Sequence, residues 1–350
     1  MTHTSILRPL SLSAALALLA PVAAAQATFS NGVLTLVGTP ANDDITVEVG
    51  PLPGQVQVSG IQGGGTFFGV RGITAALGDG LDKLQVIGSA TFLPRLDLDF
   101  GQGEADAKVD FVFRSAPVPV QSAGIRIRTA DRQDVVNVTL KTAPGITNVV
   151  LDLALGGGNN DSVLLVEPEN QAAVVRALAT VTGGAGIDKV LLDVGGDALQ
   201  AEAALFGDLG GGDDEAEVVL EARSGGDVSA NFGIELGSGN DKALLTTSNA
   251  ATAVSGAVRM GDGQDVVELV SGRGFSGGVL VDAGRGNDSV KLVSSLANSS
   301  ASQIFAGEGD DVVEVLAGGV QVTPTTSDGG PGFDVFTGIG AVVNFEVVNR

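Results

Sequence analysis

The sequence feature that most constrains this chain is a short motif, Gly-x-Gly-x-Asp, that recurs once every 23 to 28 residues. Apolar residues follow the motif two and four positions after its Asp, as Val290 and Leu292 follow Asp288. A repeat of about 20 to 50 residues is typical of a solenoid or an array. We therefore expect the 350-residue chain to stack copies of one unit around a continuous core.

Seven copies keep both glycines, the Asp and both apolar positions. They are GDGLDKLQV at Gly78–Val86, GAGIDKVLL at Gly184–Leu192, GGGDDEAEV at Gly210–Val218, GSGNDKALL at Gly237–Leu245, GDGQDVVEL at Gly261–Leu269, GRGNDSVKL at Gly284–Leu292 and GEGDDVVEV at Gly307–Val315. An eighth, GPGFDVFTG at Gly330–Gly338, keeps the turn and loses the second apolar position.

Four further copies are degraded. We align Asp161 with the motif Asp, with Asn159 replacing the second glycine, and we place Asp106 one residue late, as a β-bulge would. The copy at Asp134 has lost both glycines, and the copy at Asp43 keeps only the acidic turn and the strand after it.

Each unit is predicted to hold two short strands separated by turns. Gly-x-Gly supplies the positive φ angles of a tight turn, and the residues after the Asp alternate as in a half-buried strand. A second alternating run, such as GVLVDAG ahead of Asp288, precedes the turn. The predicted fold is all-β, a parallel β-helix of about 10–12 coils with its Gly-x-Gly-x-Asp turns stacked along one edge.

The repeat divides the chain into four predicted segments. Residues 1–27 resemble a Sec-type signal peptide with a mature start near Thr28, and residues 28–75 form an N-terminal cap and a first irregular coil. Residues 76–338 form the solenoid, and residues 339–350 form a capping strand. Glu169–Val181 is the best helix candidate, although its Val and Thr residues suit a strand equally well.

Composition limits the chemistry that the chain can perform. It contains no Cys, Trp or Tyr, and its one histidine, His3, lies in the predicted signal peptide. Catalysis by Ser-His or Cys-His pairs is therefore excluded in the mature chain, and zinc and copper lose their usual ligands. Carboxylates, hydroxyls and carbonyls remain, and these are ligands for hard cations such as calcium. We assign no catalytic residue and expect no enzymatic activity.

The charge balance is acidic. Asp and Glu number 41 against 19 Lys and Arg, and the formal net charge is −22. A chain of this charge is not expected to bind nucleic acid or an anionic membrane surface. No later segment has the run of about 18 apolar residues that a membrane helix needs. We therefore expect a secreted, extracellular or surface-associated protein without membrane insertion.

The turns resemble the haemolysin-type (RTX) calcium-binding repeat, GGxGxDx-aliphatic-x, most closely in GGAGIDKVL at Gly183–Leu191 and in GGGDDEAEV. In that family, calcium binds between successive turns through the Asp carboxylate and backbone carbonyls. The resemblance implies Ca²⁺ as the cofactor. The implied carboxylate ligands are Asp82, Asp161, Asp188, Asp214, Asp241, Asp265, Asp288, Asp311 and Asp334. The implied carbonyl ligands are Gly78, Gly80, Gly184, Gly186, Gly210, Gly212, Gly237, Gly239, Gly261, Gly263, Gly284, Gly286, Gly307 and Gly309.

Two features differ from that family. Its repeats run in tandem every nine residues, whereas this chain has one motif per 23 to 28 residues, so only one edge would bind calcium. Its members usually carry a C-terminal secretion signal, whereas this chain has an N-terminal one. Stacked carboxylates about 5 Å apart would repel by about 1 kcal/mol per pair in water and about 3 kcal/mol at an effective dielectric of 20. Calcium would neutralise such a column.

Other interpretations remain open at this point. Each Asp could instead cap its own turn by accepting a backbone N–H, with no metal bound. Arg126, Arg128 and Arg132 lie close together in sequence and could line a polysaccharide lyase groove, and Asp97 with Asp99 could mimic glycosidase carboxylates. We expect a calcium-binding structural or adhesive protein with cell-envelope or matrix partners. A lyase-like enzyme and a metal-free spacer are the alternatives, and the sequence leaves the oligomeric state open.

Overall fold

The computed structural model describes residues 24–349 except 115–119, 169–172, 223–225, 249–250, 273–274, 296–300 and 319–324. The predicted signal peptide lies almost wholly outside the described residues. The first strand begins at Gln26, so the predicted mature start near Thr28 falls inside it. No helix capable of crossing a membrane occurs in the described part of the chain.

The described chain folds into two long β-sheets that face each other, and consecutive strands generally alternate between them. Sheet A consists of β1 (Gln26–Ser30), β2 (Val33–Val37), β6 (Gly72–Ala76), β8 (Arg95–Asp99), β10 (Val120–Arg128), β12 (Gly145–Ala154), β14 (Ala173–Thr182), β16 (Gln200–Asp208), β18 (Asp227–Ser238), β20 (Ala251–Asp262), β22 (Gly278–Arg285), β24 (Gln303–Phe305), β26 (Thr326–Asp328) and β28 (Ala341–Val343). Sheet B consists of β3 (Asp44–Val49), β4 (Val56–Ser59), β5 (Gly65–Phe67), β7 (Leu81–Ala90), β9 (Glu104–Phe113), β11 (Asp134–Thr142), β13 (Asn160–Pro168), β15 (Asp188–Val194), β17 (Glu215–Leu220), β19 (Lys242–Thr247), β21 (Val266–Ser271), β23 (Ser289–Ser294), β25 (Val312–Ala317), β27 (Val335–Gly338) and β29 (Val347–Asn349).

Strand pairing within each sheet is parallel along the body of the molecule. β21 pairs with β23, and β23 pairs with β25, in a register that places Val267 beside Val290 and Val290 beside Val313. Each coil therefore adds one strand to sheet A and one to sheet B, and equivalent residues stack in straight rows. The predicted all-β parallel solenoid is confirmed.

Alternation along each strand builds the core. Val290 and Leu292 are almost completely buried, while Lys291 between them points outward and pairs with Glu268 at 3.0 Å, as the sequence pattern predicts. The same alternation in every coil fills the space between the sheets with Val, Leu, Ile and Ala. Larger rings occupy particular levels, such as Phe111 against Phe113 with ring centroids 5.0 Å apart.

Antiparallel pairing occurs only near the N-terminal end of the described chain. β1 pairs antiparallel with β2, and β3, β4 and β5 form an antiparallel meander at the end of sheet B. The meander occupies much of the long interval between Asp43 and Asp82. At the other end, residues 341–349 contain β28 and β29 as two short strands in different sheets, where the sequence predicted a single one.

The segment that was ambiguous between helix and strand adopts a strand. Its described residues lie in β14, which pairs with β12 and β16 over its length. Val175 and Ala177 point into the core, and Arg176 points outward. Period-two burial therefore explains the Val and Thr content of this segment.

Candidate functional site

The motif Asp residues lie at the turn that leads from each sheet A strand to the following sheet B strand, and their side chains point into the turn. Nine of them are between 0 and 3 % exposed. These nine are Asp82, Asp134, Asp188, Asp214, Asp241, Asp265, Asp288, Asp311 and Asp334. We call the row of equivalent positions, which also contains Asp43, Ala105 and Asn160, the inner ladder.

Hydrogen bonds join the inner ladder from coil to coil. The backbone N–H of Asp265 donates to Asp288 Oδ1 at 2.9 Å, and the N–H of Asp288 donates to Asp311 Oδ1 at 2.8 Å. Eight of the nine buried carboxylates accept the ladder N–H of the coil before them in this way. Asp188 differs, because it accepts from Asn160 Nδ2 while the N–H of Asn160 donates to Ile187 O. At the C-terminal end, Glu346 Oε2 accepts the N–H of Asp334 at 2.7 Å and closes the row.

The second carboxylate oxygen is the unusual feature of this site. Oδ2 is buried and has no hydrogen-bond partner in eight of the nine buried aspartates, the exception being Asp188. The eight are Asp82, Asp134, Asp214, Asp241, Asp265, Asp288, Asp311 and Asp334. An ionised carboxylate with an unpartnered buried oxygen is costly, which favours the protonated form.

Burial accordingly raises the pKa of these groups. Loss of solvation is the largest cause, and it raises the pKa of Asp214 and of Asp288 to about 7 and that of Asp82 and of Asp241 to about 6. The accepted backbone hydrogen bonds lower the pKa, and neighbouring ladder carboxylates raise it further. Part of the inner ladder is therefore protonated near neutral pH.

A second set of side chains lies outside the inner ladder, on the residue immediately before six of the ladder positions. Asn287 Oδ1 accepts the backbone N–H of Asp310 at 2.8 Å, and Asp310 Oδ1 accepts the N–H of Phe333 at 2.9 Å. Asn42, Asn159, Asp213 and Asn240 make the same contact. This outer ladder accepts from the following coil, whereas the inner ladder accepts from the preceding coil, so the turns are joined in both directions.

The motif glycines are required by the closeness of successive turns. Gly286 has φ +136°, and a Cβ added to it would overlap the carbonyl oxygen of Gly263 in the coil before. A Cβ added to Gly309 would overlap the carbonyl oxygen of Gly286 in the same way. The carbonyl of the second glycine therefore points along the solenoid axis at the next turn, and any side chain there would separate the coils.

Eight of the nine predicted ligand aspartates lie in the inner ladder, and Asp161 does not. The turn in that coil reads Gly156-Gly157-Gly158-Asn159-Asn160, one residue earlier than the sequence alignment assumed. Asn160 stacks between Asp134 and Asp188 and donates from Nδ2 to Asp188 Oδ1 at 2.6 Å. Asp161 takes the next position and is exposed.

Two other degraded copies also differ from the prediction. β7 and β9 pair without a register shift, so the predicted bulge at Asp106 is absent from that pair. Ala105 takes the ladder position, and its N–H donates to Asp134 Oδ1 at 2.7 Å, so Asp134 belongs to the ladder although its turn has lost both glycines. Asp106 points outward, 3.8 Å from Lys83.

The donor set provides only part of a calcium site. Calcium takes about six to eight oxygens, and each coil supplies at most one inner carboxylate, one of whose oxygens already accepts a hydrogen bond. The carbonyls of Gly184, Gly210 and Gly284 accept backbone N–H groups of the next coil. Among the described residues, no three His, Cys, Asp or Glu side chains are grouped so that they could hold a metal ion. Among the buried side-chain oxygens of the inner ladder, the Oδ2 atoms of eight aspartates have no hydrogen-bond partner and could face a cation.

The arginine cluster seen in the sequence is largely neutralised. Arg126 Nε lies 2.7 Å from Asp152, and Arg128 lies 3.0 Å from Asp97, all on the outer face of sheet A. Arg132 follows β10 in a turn and has no ion-pair partner among the described residues. An arginine held by a carboxylate is a poor general base, so these pairs do not favour a lyase.

Comparison of the chain with protein-family models, curated proteins and solved structures found no match. The resemblance to haemolysin-type repeats therefore depends on the turn motif alone.

Proposed function

We propose that this protein is a non-catalytic, secreted or surface-associated structural rod whose coils are held in register by the inner and outer ladders. The observation that carries the proposal is the unbroken row of buried aspartates from Asp214 to Asp334, each of which accepts a backbone N–H from the coil before it. The row accompanies two sheets whose register is nearly unbroken. The length of such a rod increases in proportion to its number of coils.

The ladders stabilise the turns that lead from sheet A to sheet B, where the pairing of the named strands is interrupted. Between β22 and β23 the chain turns through Gly286, Asn287 and Asp288, where sheet hydrogen bonds end. The side chains of Asn287 and Asp288 connect this turn to the coils on either side. A hydrogen bond contributes about 1 kcal/mol net, so a full ladder adds several kcal/mol spread along the rod.

Removal of whole coils tests the structural proposal. Deleting residues 265–310 joins Gln264 to Asp311 and removes two coils while keeping the motif phase. The shortened chain should remain folded, and its length from small-angle X-ray scattering should fall by about 10 Å, since strands stack about 4.8 Å apart. Deleting 265–276 is the control, because half a coil destroys the phase. Loss of folding in the two-coil deletion would contradict the proposal.

Secretion is tested separately. The full chain, expressed in a bacterial host with a Sec pathway, should be recovered outside the cytoplasm with an N-terminus near Thr28. An uncleaved cytoplasmic product would remove the extracellular part of the proposal and leave the structural part intact.

Calcium binding is the second candidate, and the unpartnered Oδ2 atoms favour it. Its proposed carboxylate ligands are the seven predicted ladder aspartates whose Oδ2 is unpartnered, namely Asp82, Asp214, Asp241, Asp265, Asp288, Asp311 and Asp334. A bound ion at about 100 times its Kd would stabilise the folded chain by about 2.7 kcal/mol. Melting curves in calcium, in magnesium and in excess chelator distinguish a ladder held by hydrogen bonds alone from a ladder that binds calcium. Overlapping curves support a ladder held by hydrogen bonds, and a rise of several degrees specific to calcium supports the metal.

A further inference from the structure

The outer face of sheet A carries a shallow depression of about 520 Å³ near its N-terminal end. Its floor and walls come from four successive strands, β8, β10, β12 and β14, from the loop before β8 and from Arg71, immediately before β6. The residues that give it chemical character are Arg71, Phe92, Arg95, Ser122, Arg126 and Asp152.

The register of sheet A creates this depression at a glycine. Ile125 pairs with Leu96, which places Gly124 beside Arg95, and Gly124 pairs with Val150 on the other side. A Cβ added to Gly124 would meet only Arg95 Cγ, at 3.9 Å. The missing side chain therefore leaves an open space bordered by an arginine and an apolar side chain.

Unpaired positive charge surrounds that space. Arg71 and Arg95 are exposed, lie on adjacent coils and have no ion-pair partner in the described chain, whereas Arg126 is held by Asp152 at 2.7 Å. Three arginines and one aspartate line the depression and give its lining a net charge of +2, although the whole chain has a net charge of −22. Two guanidinium groups that line one depression repel each other, and an anion bound between them would remove that repulsion.

A second depression continues the first along the rod axis. It has a volume of about 360 Å³, shares Val150 with the first, and extends across β16 to β18. Asn148, Ser229 and Asn231 present amide and hydroxyl groups there. The first depression has a net positive lining, and in the second the charges of Arg176 and Glu202 are paired at 2.8 Å. We call the two neighbouring depressions together the sheet A groove.

We propose that the sheet A groove binds a saccharide chain that carries one or two carboxylate or sulfate groups, with its anion held by Arg71 and Arg95. The planar guanidinium fork pairs well with such oxyanions, and Phe92, which is 40 % exposed, offers an apolar face to a sugar ring. Hydroxyls of further sugars would meet the amides and hydroxyls of the second depression. An extended peptide would instead need a free strand edge, and β8 to β18 are paired on both sides.

Charge density restricts the ligand further. The acidic rod repels a dense polyanion such as nucleic acid, but the repulsion is screened beyond about 8 Å at physiological salt. A ligand with sparse anions can therefore use the local positive charge. This inference is independent of whether the inner ladder binds calcium, because the groove lies on the outer face of sheet A and the ladder lies in the turns.

Titration calorimetry of the full chain tests the proposal with trigalacturonate, maltotriose, sodium acetate and sodium sulfate. Trigalacturonate should bind, and the three other probes should bind at least tenfold more weakly. Because a hydrogen bond to a charged group is lost, Arg95→Ala should weaken trigalacturonate binding roughly tenfold, and Arg71→Ala should do the same. Arg95→Lys should recover only part of the affinity, since it keeps the charge and loses the fork.

Lys108→Ala is the matched control. Lys108 is an exposed cation on β9 in sheet B, and it has no ion-pair partner in the described chain. Its removal changes the net charge as Arg95→Ala does and should leave binding unchanged. Equal losses in Lys108→Ala and Arg95→Ala would overturn the site. Maltotriose binding as tightly as trigalacturonate would overturn the role of the anion, and equally tight binding of acetate or sulfate would overturn the role of the sugar. Absence of binding by all four probes would overturn the whole proposal.

Discussion

Replacing Asp214 by Asn should stabilise the protein at alkaline pH. The Asp214 side chain is 1 % exposed, accepts the N–H of Asp188 at 2.8 Å, and has an unpartnered Oδ2. Asn keeps the acceptor and replaces the unpartnered oxygen by an amide donor. Asn160 already uses such a donor at 3.2 Å from Gly156 O and 3.3 Å from Gly158 O.

The magnitude follows from the pKa. Burial raises the pKa of Asp214 from the ordinary value of 3.8 to about 7, and each pKa unit corresponds to about 1.4 kcal/mol. Ionising the buried group therefore costs the folded state at most about 4 kcal/mol at pH values above 7. Asp214→Asn does not pay this penalty, and we expect its free energy of unfolding to exceed that of the native chain by about 1 to 4 kcal/mol near pH 8.

Urea unfolding in excess chelator, at about pH 5 and about pH 8, measures the effect, with Asp214→Ala as the matched variant. At pH 5 the advantage of the Asn variant should fall to about 1.6 kcal/mol or less, because only the interval between pH 3.8 and pH 5 then contributes. The Ala variant should be less stable than the Asn variant by about 1 to 3 kcal/mol at both pH values, because the N–H of Asp188 loses its acceptor. An Asn variant that is less stable than the native chain at pH 8 would refute the reasoning, since it would mean that the ionised carboxylate is stabilised.

Three further results are expected. The native chain should lose stability as pH rises from about 4 to about 7, because the inner ladder binds more protons folded than unfolded; denaturant melts across this range check the sign. Gly286→Ala should destabilise by about 3 kcal/mol or more, since its Cβ overlaps the preceding turn, while Gly72→Ala, with its nearest neighbour at 3.7 Å, should change thermal stability little. Asn287→Ala should cost about 0.5 to 1 kcal/mol in urea unfolding, because the exposed N–H of Asp310 loses an acceptor that water replaces in part.

The fold could be predicted because two periods in the sequence agree. The spacing between Gly-x-Gly-x-Asp motifs gives the length of one coil. The alternation around residues such as Lys291 shows which side chains of each strand face the core. The interior tolerates many apolar residues, so this pattern carries nearly all the information that the fold needs. The β4–β5 meander has no repeat to mark it, and its pairing depends on contacts that a periodic pattern does not encode.

The direction of the Asp side chains could not be read from the motif. A turn Asp can point to solvent, to a metal or into its own turn, and spacing is the same in all three cases. Only the coil-to-coil register shows that Asp288 accepts the N–H of Asp265. The outer ladder had a weak signal, since Asn or Asp recurs before the motif Asp at Asp213, Asn240, Asn287 and Asp310.

The phase error at Asp161 has a similar cause. Gly156-Gly157-Gly158 allows two alignments of the motif, one that ends in Asn160 and one that ends in Asp161, and only the second reproduces the motif Asp by residue type. The ladder needs an acceptor or donor at hydrogen-bond distance rather than a charge, and Asn160 satisfies it. Ala105 satisfies it differently, by contributing only its backbone N–H.

The most direct test of the ladder is the ionisation of its carboxyl groups. The protein would be prepared with aspartate labelled with ¹³C at Cγ, and the carboxyl resonances followed by NMR from about pH 3 to about pH 9 in excess chelator. A ladder held by hydrogen bonds in a buried turn predicts carboxyl groups that titrate at about 7 for Asp214 and Asp288 and at about 6 for Asp82 and Asp241, assigned from their Asn variants. Resonances that all titrate near 3.8 would contradict it.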